Sequence, residues 1–128
     1  MPANILVVDD HEVVHQSVRM LLQSRPDWKI CGHASTGAEG VEMARRFRPD
    51  VIVMDITMPV MNGLEATRQI ASLKLGSPVL IFTMHESPGL AESVRTAGAV
   101  GLVLKSRASR DLVLALEEVL GGRTYFRP

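Results

Sequence analysis

Short apolar runs rich in β-branched residues alternate along this chain with stretches whose apolar residues recur every three or four positions. The first kind of segment predicts buried strands, and the second predicts amphipathic helices. Strands are predicted at Ile5–Val8, Lys29–Ala34, Val51–Met54, Val79–Thr83 and Leu102–Leu104, each followed by a predicted helix. This alternation is typical of a parallel sheet covered by helices on both faces. The predicted fold class is therefore α/β, a doubly wound sheet of five strands and five helices.

Length and charge narrow the class of protein further. The chain has 128 residues, which suits one domain, and its 14 basic residues balance its 14 acidic ones. A balanced charge does not favour wholesale attraction to nucleic acid or to a membrane, so a partner has to be recognised by a local surface. No apolar run approaches the roughly 20 residues of a membrane span. With Cys31 as the single cysteine, an internal disulfide is excluded, and we expect a cytoplasmic protein.

Polar residues follow the apolar runs where the predicted strands end. Asp9 and Asp10 follow the first run, and Asp55 follows the third. Thr83 ends the fourth run, and Lys105 follows the fifth. Because the carboxyl ends of parallel strands meet at one edge of a sheet, we expect these side chains to lie together. Each residue alone has an ordinary explanation, such as a helix cap, a turn or a solvated lysine, but their coincidence favours a shared site.

Clustered carboxylates beside an ammonium and a hydroxyl have a specific chemical use. Adjacent carboxylates repel one another and raise one another's pKa unless a cation neutralises them. A hard divalent ion such as Mg²⁺, with oxygen ligands and several waters, fits these side chains better than zinc does. The ammonium is suited to a phosphate oxygen. The sequence therefore predicts a site for Mg²⁺ and a phosphoryl group at this edge.

The chain resembles the CheY-like receiver domain of two-component response regulators over essentially its whole length. The motifs that carry the resemblance are the acidic pair in VVDDHE, Asp55 in VIVMDITMPVMNGLEA, Thr83 in LIFTMHE and Lys105 in AGAVGLVLKS. The resemblance implies a flavodoxin-like fold with strand order 2-1-3-4-5. It also implies that Asp55 accepts a phosphoryl group from a phosphohistidine of a partner sensor histidine kinase.

The same resemblance implies a role for each site residue. Mg²⁺ would be held by Asp10, by Asp55, by the backbone carbonyl of Thr57 and, through water, by Asp9. Lys105 would pair with the phosphoryl oxygens, and Thr83 would hydrogen-bond them after the switch. The protein would then not be an enzyme with a separate substrate, because it would catalyse only transfer to its own Asp55 and hydrolysis from it.

Two positions depart from the receiver pattern. Leu102 stands where receivers often have Tyr or Phe. Our hypothesis is that Thr83 and its loop carry the signal through aliphatic repacking instead of an aromatic rotamer change. Ser106 stands where Pro commonly follows the lysine, and a cis peptide without proline costs about 3 kcal/mol. The geometry of this loop is therefore left open.

Finer details are similar to the NarL/FixJ group of response regulators. The segments concerned are DDHEVVHQSVRMLL, GLEATRQI, LIFTMHE and the terminal GGRTYFRP. Receivers of that group usually precede a LuxR-type helix-turn-helix domain, so we expect control of transcription. DNA would be contacted only through such a domain. Phosphorylation could also act by forming a homodimer of receivers. Residues 1–121 are expected to form the receiver, and 122–128 a C-terminal tail at the possible start of a linker to that absent domain. The chain is expected to be either a truncated regulator or a single-domain receiver.

Three alternatives use similar residues. A haloacid-dehalogenase-like phosphatase also uses a strand-end Asp and Mg²⁺, but its general acid is a second Asp where this chain has Thr57. A flavodoxin would bind flavin, usually by aromatic stacking, whereas aromatic residues make up 4% of this chain. A stand-alone or degenerate receiver acting as a phosphorylation-independent interaction module is the more serious alternative, although all five site residues are present.

Two histidines lie next to the acidic pair in sequence. His11 and His15 are four positions apart on the predicted first helix, a spacing that could ligate a metal. No third ligand is placed to complete such a site. We therefore predict that both side chains lie on exposed helix surface.

Overall fold

The structure is a computed structural model that describes residues 2–58 and 61–126. Within these residues, six parallel strands form one open sheet in the order β2-β1-β3-β4-β5-β6. The strands are β1 (Ala3–Val8), β2 (Trp28–Ala34), β3 (Val51–Met54), β4 (Val79–Thr83), β5 (Gly101–Leu104) and β6 (Tyr125–Phe126). The α/β class and the predicted order 2-1-3-4-5 are confirmed, with β6 added beside β5.

Five helices follow the first five strands in the described part of the chain. They are α1 (Glu12–Leu21), α2 (Gly37–Phe47), α3 (Gly63–Leu73), α4 (Leu90–Ala97) and α5 (Ala108–Leu120). None of the helices formed by residues 2–58 and 61–126 is long and apolar enough to cross a lipid bilayer. The predicted alternation of strand and helix is thus confirmed.

Both faces of the sheet are buried, which explains why the strand sequences are almost continuously apolar. Successive strand residues point to opposite faces. On one face, Ile5 and Val7 of β1 share a core with α1 and α5, for example with Leu116. On the other face, Leu6 and Val8 share a core with α2, α3 and α4. The doubly wound arrangement is therefore confirmed, and it leaves the strand ends as the place where polar side chains can gather.

The last strand, β6, belongs to the predicted C-terminal tail. Tyr125 pairs with Gly101 and Phe126 pairs with Leu102 in parallel register. The Phe126 ring lies 4.3 Å from the guanidinium carbon of Arg95 on α4. Two residues are too few to show the period-two pattern of a strand, so the sequence carried no signal for it. Residues 127–128 of the tail lie outside the described residues.

Candidate functional site

The predicted site residues lie at the carboxyl edge of the sheet. Asp9 and Asp10 directly follow β1, and Asp55 directly follows β3. Thr83 is the last residue of β4, and Lys105 directly follows β5. Because all of these strands are parallel, they deliver the five side chains to the same end of the molecule. The expected gathering of these residues at one edge is therefore what the structure shows.

Lys105 joins two of the carboxylates. Its Nζ lies 2.6 Å from Oδ2 of Asp9 and 3.4 Å from Oδ1 of Asp55. The Lys105 side chain is 12% exposed, and those of Asp9 and Asp55 are 2% and 4% exposed. An ammonium held this far from water contributes more to the charge balance than a lysine on the surface does. Lys105 is thus the cation that offsets two buried acids.

A compact acidic cluster surrounds this ion pair. The possible ligand atoms of Asp9, Asp10, His11 and Asp55 all lie within 4.8 Å of one another. His11 Nδ1 lies 3.1 Å from a carboxylate oxygen of Asp9 and 3.1 Å from one of Asp10. Oxygen donors at this spacing suit a hard divalent cation. The cluster could therefore bind a metal ion, with carboxylates as its main donors.

Asp55 is the acid most affected by this environment. Burial raises the pKa of Asp55 above its ordinary value, and the nearby Asp9 charge raises it further. Lys105 acts in the opposite direction through its charge and its hydrogen bond. A cation added to the cluster would favour the ionised form of Asp55, which is the form that can act as a nucleophile.

Thr83 and Thr57 border the cluster. Thr83 is 2% exposed and pairs in register with Leu104, the residue before Lys105. Thr57 is exposed and lies two residues after Asp55 in the loop that follows β3. Close contacts join Asp9, Asp10, Asp55 and Lys105. Thr83 is placed at the same edge by the end of β4, and Thr57 follows Asp55 in the loop after β3.

The loop after Asp55 is held close to the site by a glycine. Gly63, the first residue of α3, donates its backbone N–H to the Ile56 carbonyl at 2.8 Å. A Cβ atom on Gly63 would overlap the backbone carbonyl oxygen of Asp55. Glycine is therefore needed for the start of α3 to pack on the Asp55 peptide. Residues 59–60 of this predicted loop lie outside the described residues.

The two positions that depart from the receiver pattern, Ser106 and Leu102, both lie in regular backbone structure. The Lys105–Ser106 peptide is trans, and Lys105–Arg107 form a single 3₁₀ turn before α5. Leu102 is partly buried and packs with Phe126 of β6 against the core on the α4 face. The aromatic ring next to this position thus comes from the neighbouring strand.

The prediction of an exposed surface position is wrong for His15. The His15 residue is 4% exposed, because α1 turns its ring inwards towards the Asp9 backbone. His11 is the residue before α1, and its side chain is 57% exposed. Sequence reasoning also missed His11 as a neighbour of the carboxylates, although its position directly after the acidic pair was a usable signal.

Comparisons with known proteins agree with this fold. A family model described as the response regulator receiver domain matches residues 5–117. The response regulator UvrY of Escherichia coli is 38% identical over 122 residues, which cover 95% of this chain and 56% of that protein. The nitrate/nitrite response regulator protein NarL of Escherichia coli is 34% identical over 121 residues, which cover 94% of this chain and 56% of NarL. The chain therefore spans little more than half the length of these curated relatives.

A solved structure extends the agreement to three dimensions. The crystal structure of a LuxR-family two-component response regulator from Aurantimonas sp. SI85-9A1 superposes with a TM-score of 0.94 at 38% sequence identity. The superposition covers 100% of this chain and 91% of that one. With a family model that covers most of the chain, the chain belongs to the response regulator receiver domains, in the NarL-like, LuxR-type group.

Proposed function

We propose that this chain is a cytoplasmic, phosphorylation-activated receiver whose Asp55 accepts a phosphoryl group from a phosphohistidine of a sensor histidine kinase. The observation that carries this proposal is the placement of Lys105. Its ammonium contacts both Asp9 and Asp55 at the open edge of the sheet. A buried nucleophile beside a largely buried cation is what transfer of a phosphoryl group to a carboxylate requires.

The transfer uses Asp55 as an in-line nucleophile. A carboxylate oxygen of Asp55 attacks phosphorus, the bond from phosphorus to the kinase histidine breaks, and the imidazole takes the bonding electrons. Lys105, whose Nζ lies 3.4 Å from Asp55 Oδ1, balances charge on the phosphoryl oxygens. Mg²⁺ would be held by the carboxylates of Asp10 and Asp55, by the backbone carbonyl of Thr57 and, through water, by Asp9, and it would supply further positive charge to those oxygens. The product is an acyl phosphate on Asp55.

The new phosphoryl group would then change the charge balance around the site. It brings roughly two negative charges at neutral pH. Lys105 would be drawn from Asp9 towards these oxygens, and the Thr83 hydroxyl would donate a hydrogen bond to them. Movement of Thr83 would reshape the loop that leads to α4 and would repack Leu102 beside it. The output is a population shift between two conformations that present different binding surfaces. The changed surface would control formation of a homodimer or the activity of a LuxR-type DNA-binding domain.

Intact mass spectrometry with acetyl phosphate tests the proposed function. With Mg²⁺ present, we expect one phosphoryl adduct, and with a chelator or in Asp55→Asn we expect none. Asp50→Asn is the matched control, because Asp50 lies at the other end of the sheet and its side chain accepts a hydrogen bond from the Asn4 backbone N–H. An adduct retained in Asp55→Asn would contradict the assignment of the acceptor. No adduct with acetyl phosphate or phosphoramidate would favour the phosphorylation-independent interaction module.

Asp10 is expected to contribute to cation binding without contributing the nucleophile. Because its carboxylate belongs to the 4.8 Å cluster, Asp10→Asn should weaken Mg²⁺ affinity by at least about tenfold. Isothermal titration calorimetry measures this directly, with the exposed α2 residue Glu42→Gln as the charge-matched control. An unchanged affinity in Asp10→Asn would remove Asp10 from the metal site.

A further inference from the structure

A line of three hydrogen bonds connects the protein surface with the backbone of Asp9. Arg19 Nη2 lies 3.2 Å from His33 Nε2. His33 Nδ1 lies 2.7 Å from His15 Nδ1, and the two rings meet edge to face with centroids 4.6 Å apart. His15 Nε2 lies 2.7 Å from the carbonyl oxygen of Asp9. The line thus begins at exposed residues of α1 and β2 and ends beside the acidic cluster.

The chemistry of the two end groups determines where the protons are. A carbonyl oxygen only accepts, so His15 Nε2 must carry a proton and donate it to Asp9. A guanidinium only donates, so His33 Nε2 must be unprotonated and accept from Arg19. A neutral His33 then carries its proton on Nδ1 and donates to the bare Nδ1 of a neutral His15. The Asp9 carbonyl at one end and the Arg19 guanidinium at the other therefore each require that His33 donates to His15 in the central hydrogen bond.

This arrangement needs both imidazole rings to be neutral. Burial lowers the pKa of His33, and the neighbouring His15 and Arg19 lower it further. An extra proton on either ring would place two N–H groups face to face at one of the bonds. The observed geometry thus fits one set of tautomers, in which every donor meets an acceptor.

The peptide groups on both sides of the Asp9 Cα atom are held by hydrogen bonds. The Asp9 N–H donates to the Ala34 carbonyl of β2 at 2.9 Å, and the carbonyl of the Asp9–Asp10 peptide accepts from His15 of α1. The Asp9 side chain leaves the backbone between these two bonds, and it lies 2.6 Å from Lys105 Nζ. The direction of the Asp9 carboxylate therefore depends on the peptide that His15 holds.

We propose that His15, supported by His33 and Arg19, is a positioning residue that fixes the Asp9 peptide and so directs the Asp9 carboxylate at Lys105 and the cation site. The inference rests on the proposed function, since the site that it positions is the proposed phosphoryl acceptor. It adds a residue that touches neither the phosphoryl group nor the metal. It also assigns a purpose to a buried polar side chain in the first helix.

Two substitutions at His15 distinguish a role in positioning the Asp9 backbone from a role in packing alone. Glutamine keeps an N–H donor for the Asp9 carbonyl and an acceptor for His33, whereas leucine keeps comparable volume without either group. We expect His15→Leu to weaken Mg²⁺ affinity at least fivefold in calorimetry and to slow phosphorylation by acetyl phosphate at least fivefold at saturating Mg²⁺. His15→Gln should restore both to within about twofold of the wild type.

A spectroscopic measurement tests the hydrogen-bond line without any phosphoryl donor. Long-range ¹H–¹⁵N correlation spectra of the histidine rings at pH 7.5 should show His15 as the Nε2–H tautomer and His33 as the Nδ1–H tautomer. Finding His33 as the Nε2–H tautomer would overturn the inference. A wild type that has these tautomers and binds Mg²⁺ but never accepts a phosphoryl group would defeat the proposed function alone.

The His15 variants can also contradict the inference. Leucine and wild-type proteins with equal Mg²⁺ affinity would overturn the inference, as would equal losses in folded leucine and glutamine variants. If His15→Leu does not fold, a substitution at its exposed neighbour, His33→Leu, provides the decision, because it removes the donor to His15 and the acceptor for Arg19 but leaves His15 itself in place. We then expect a two- to threefold loss of Mg²⁺ affinity, and an unchanged affinity would overturn the inference.

Discussion

Lys105→Met is expected to destabilise the protein by about 3–5 kcal/mol when Mg²⁺ is absent, the usual cost of removing one partner from a buried ion pair. Without the ammonium, Asp9 and Asp55 would remain buried and negatively charged next to each other. Uptake of a proton by one of them would relieve part of this repulsion. Addition of Mg²⁺ should therefore recover part of the lost stability, because it returns positive charge to the cluster.

Urea unfolding of the lysine variant, with and without millimolar Mg²⁺, measures both effects. Lys29→Met is the matched control, since Lys29 is exposed on the edge strand β2, and it should change stability by less than about 0.5 kcal/mol. Phosphorylation of Lys105→Met by acetyl phosphate should be slower by at least about tenfold, as expected when a charge-stabilising group is removed. Wild-type stability without Mg²⁺ in this variant would refute the ion-pair account.

Asp55→Asn is expected to act in the opposite direction and to stabilise the protein by about 1–3 kcal/mol at neutral pH without Mg²⁺, the range for a buried polar group whose pairing is incomplete. Burial and the Asp9 charge both raise the pKa of Asp55. Asparagine has nearly the same shape and carries no charge. The substitution therefore removes an electrostatic cost from the folded state.

The stability gain of Asp55→Asn should depend on pH in a defined sense. Because the pKa of Asp55 is raised on folding, the folded wild type binds this proton more tightly than the unfolded chain, whose Asp pKa is about 3.9. Wild-type stability is then lost as the pH rises from that value through the raised pKa, and the asparagine variant lacks this loss. The difference between the two proteins should be largest at neutral pH and should shrink on acidification.

Denaturant unfolding of wild type and Asp55→Asn in a chelating buffer, from pH 4.5 to pH 8, checks this prediction. Saturating Mg²⁺ should reduce the difference at pH 7.5, because only the wild type retains the complete carboxylate set. A variant less stable than the wild type at neutral pH, or a difference that grows on acidification, would contradict the raised pKa of Asp55.

The location of the site could be predicted because it depends on strand direction alone. Once β1, β3, β4 and β5 are parallel neighbours, the residues that follow them must share an edge. Short apolar runs gave the strands with ends within two residues of those observed. Covering both faces of the sheet makes such runs almost wholly apolar, so their signal is strong.

Other features depend on contacts that a pattern in sequence does not record. His15 shares the helical spacing of the buried residues Val18 and Leu22. Its polar ring favoured an exposed position, and only the structure shows the bonds to the Asp9 carbonyl and to His33 on β2 that pair the ring when it is buried. The ion pair of Lys105 with Asp9 joins residues 96 positions apart. The pairing of Phe126 with Leu102 rests on two residues of strand. Each of these contacts is decided by the packing of distant segments.

Identification of the residue that carries the phosphoryl group tests the central claim most directly. Reduction of an acyl phosphate by borohydride converts the modified aspartate into homoserine, which peptide mass spectrometry can locate. After treatment of the wild type with Mg²⁺ and acetyl phosphate, we expect homoserine at position 55. Homoserine at Asp9 or Asp10 instead, or a phosphoryl adduct that yields no homoserine, would contradict the proposal that Asp55 is the acceptor of this receiver.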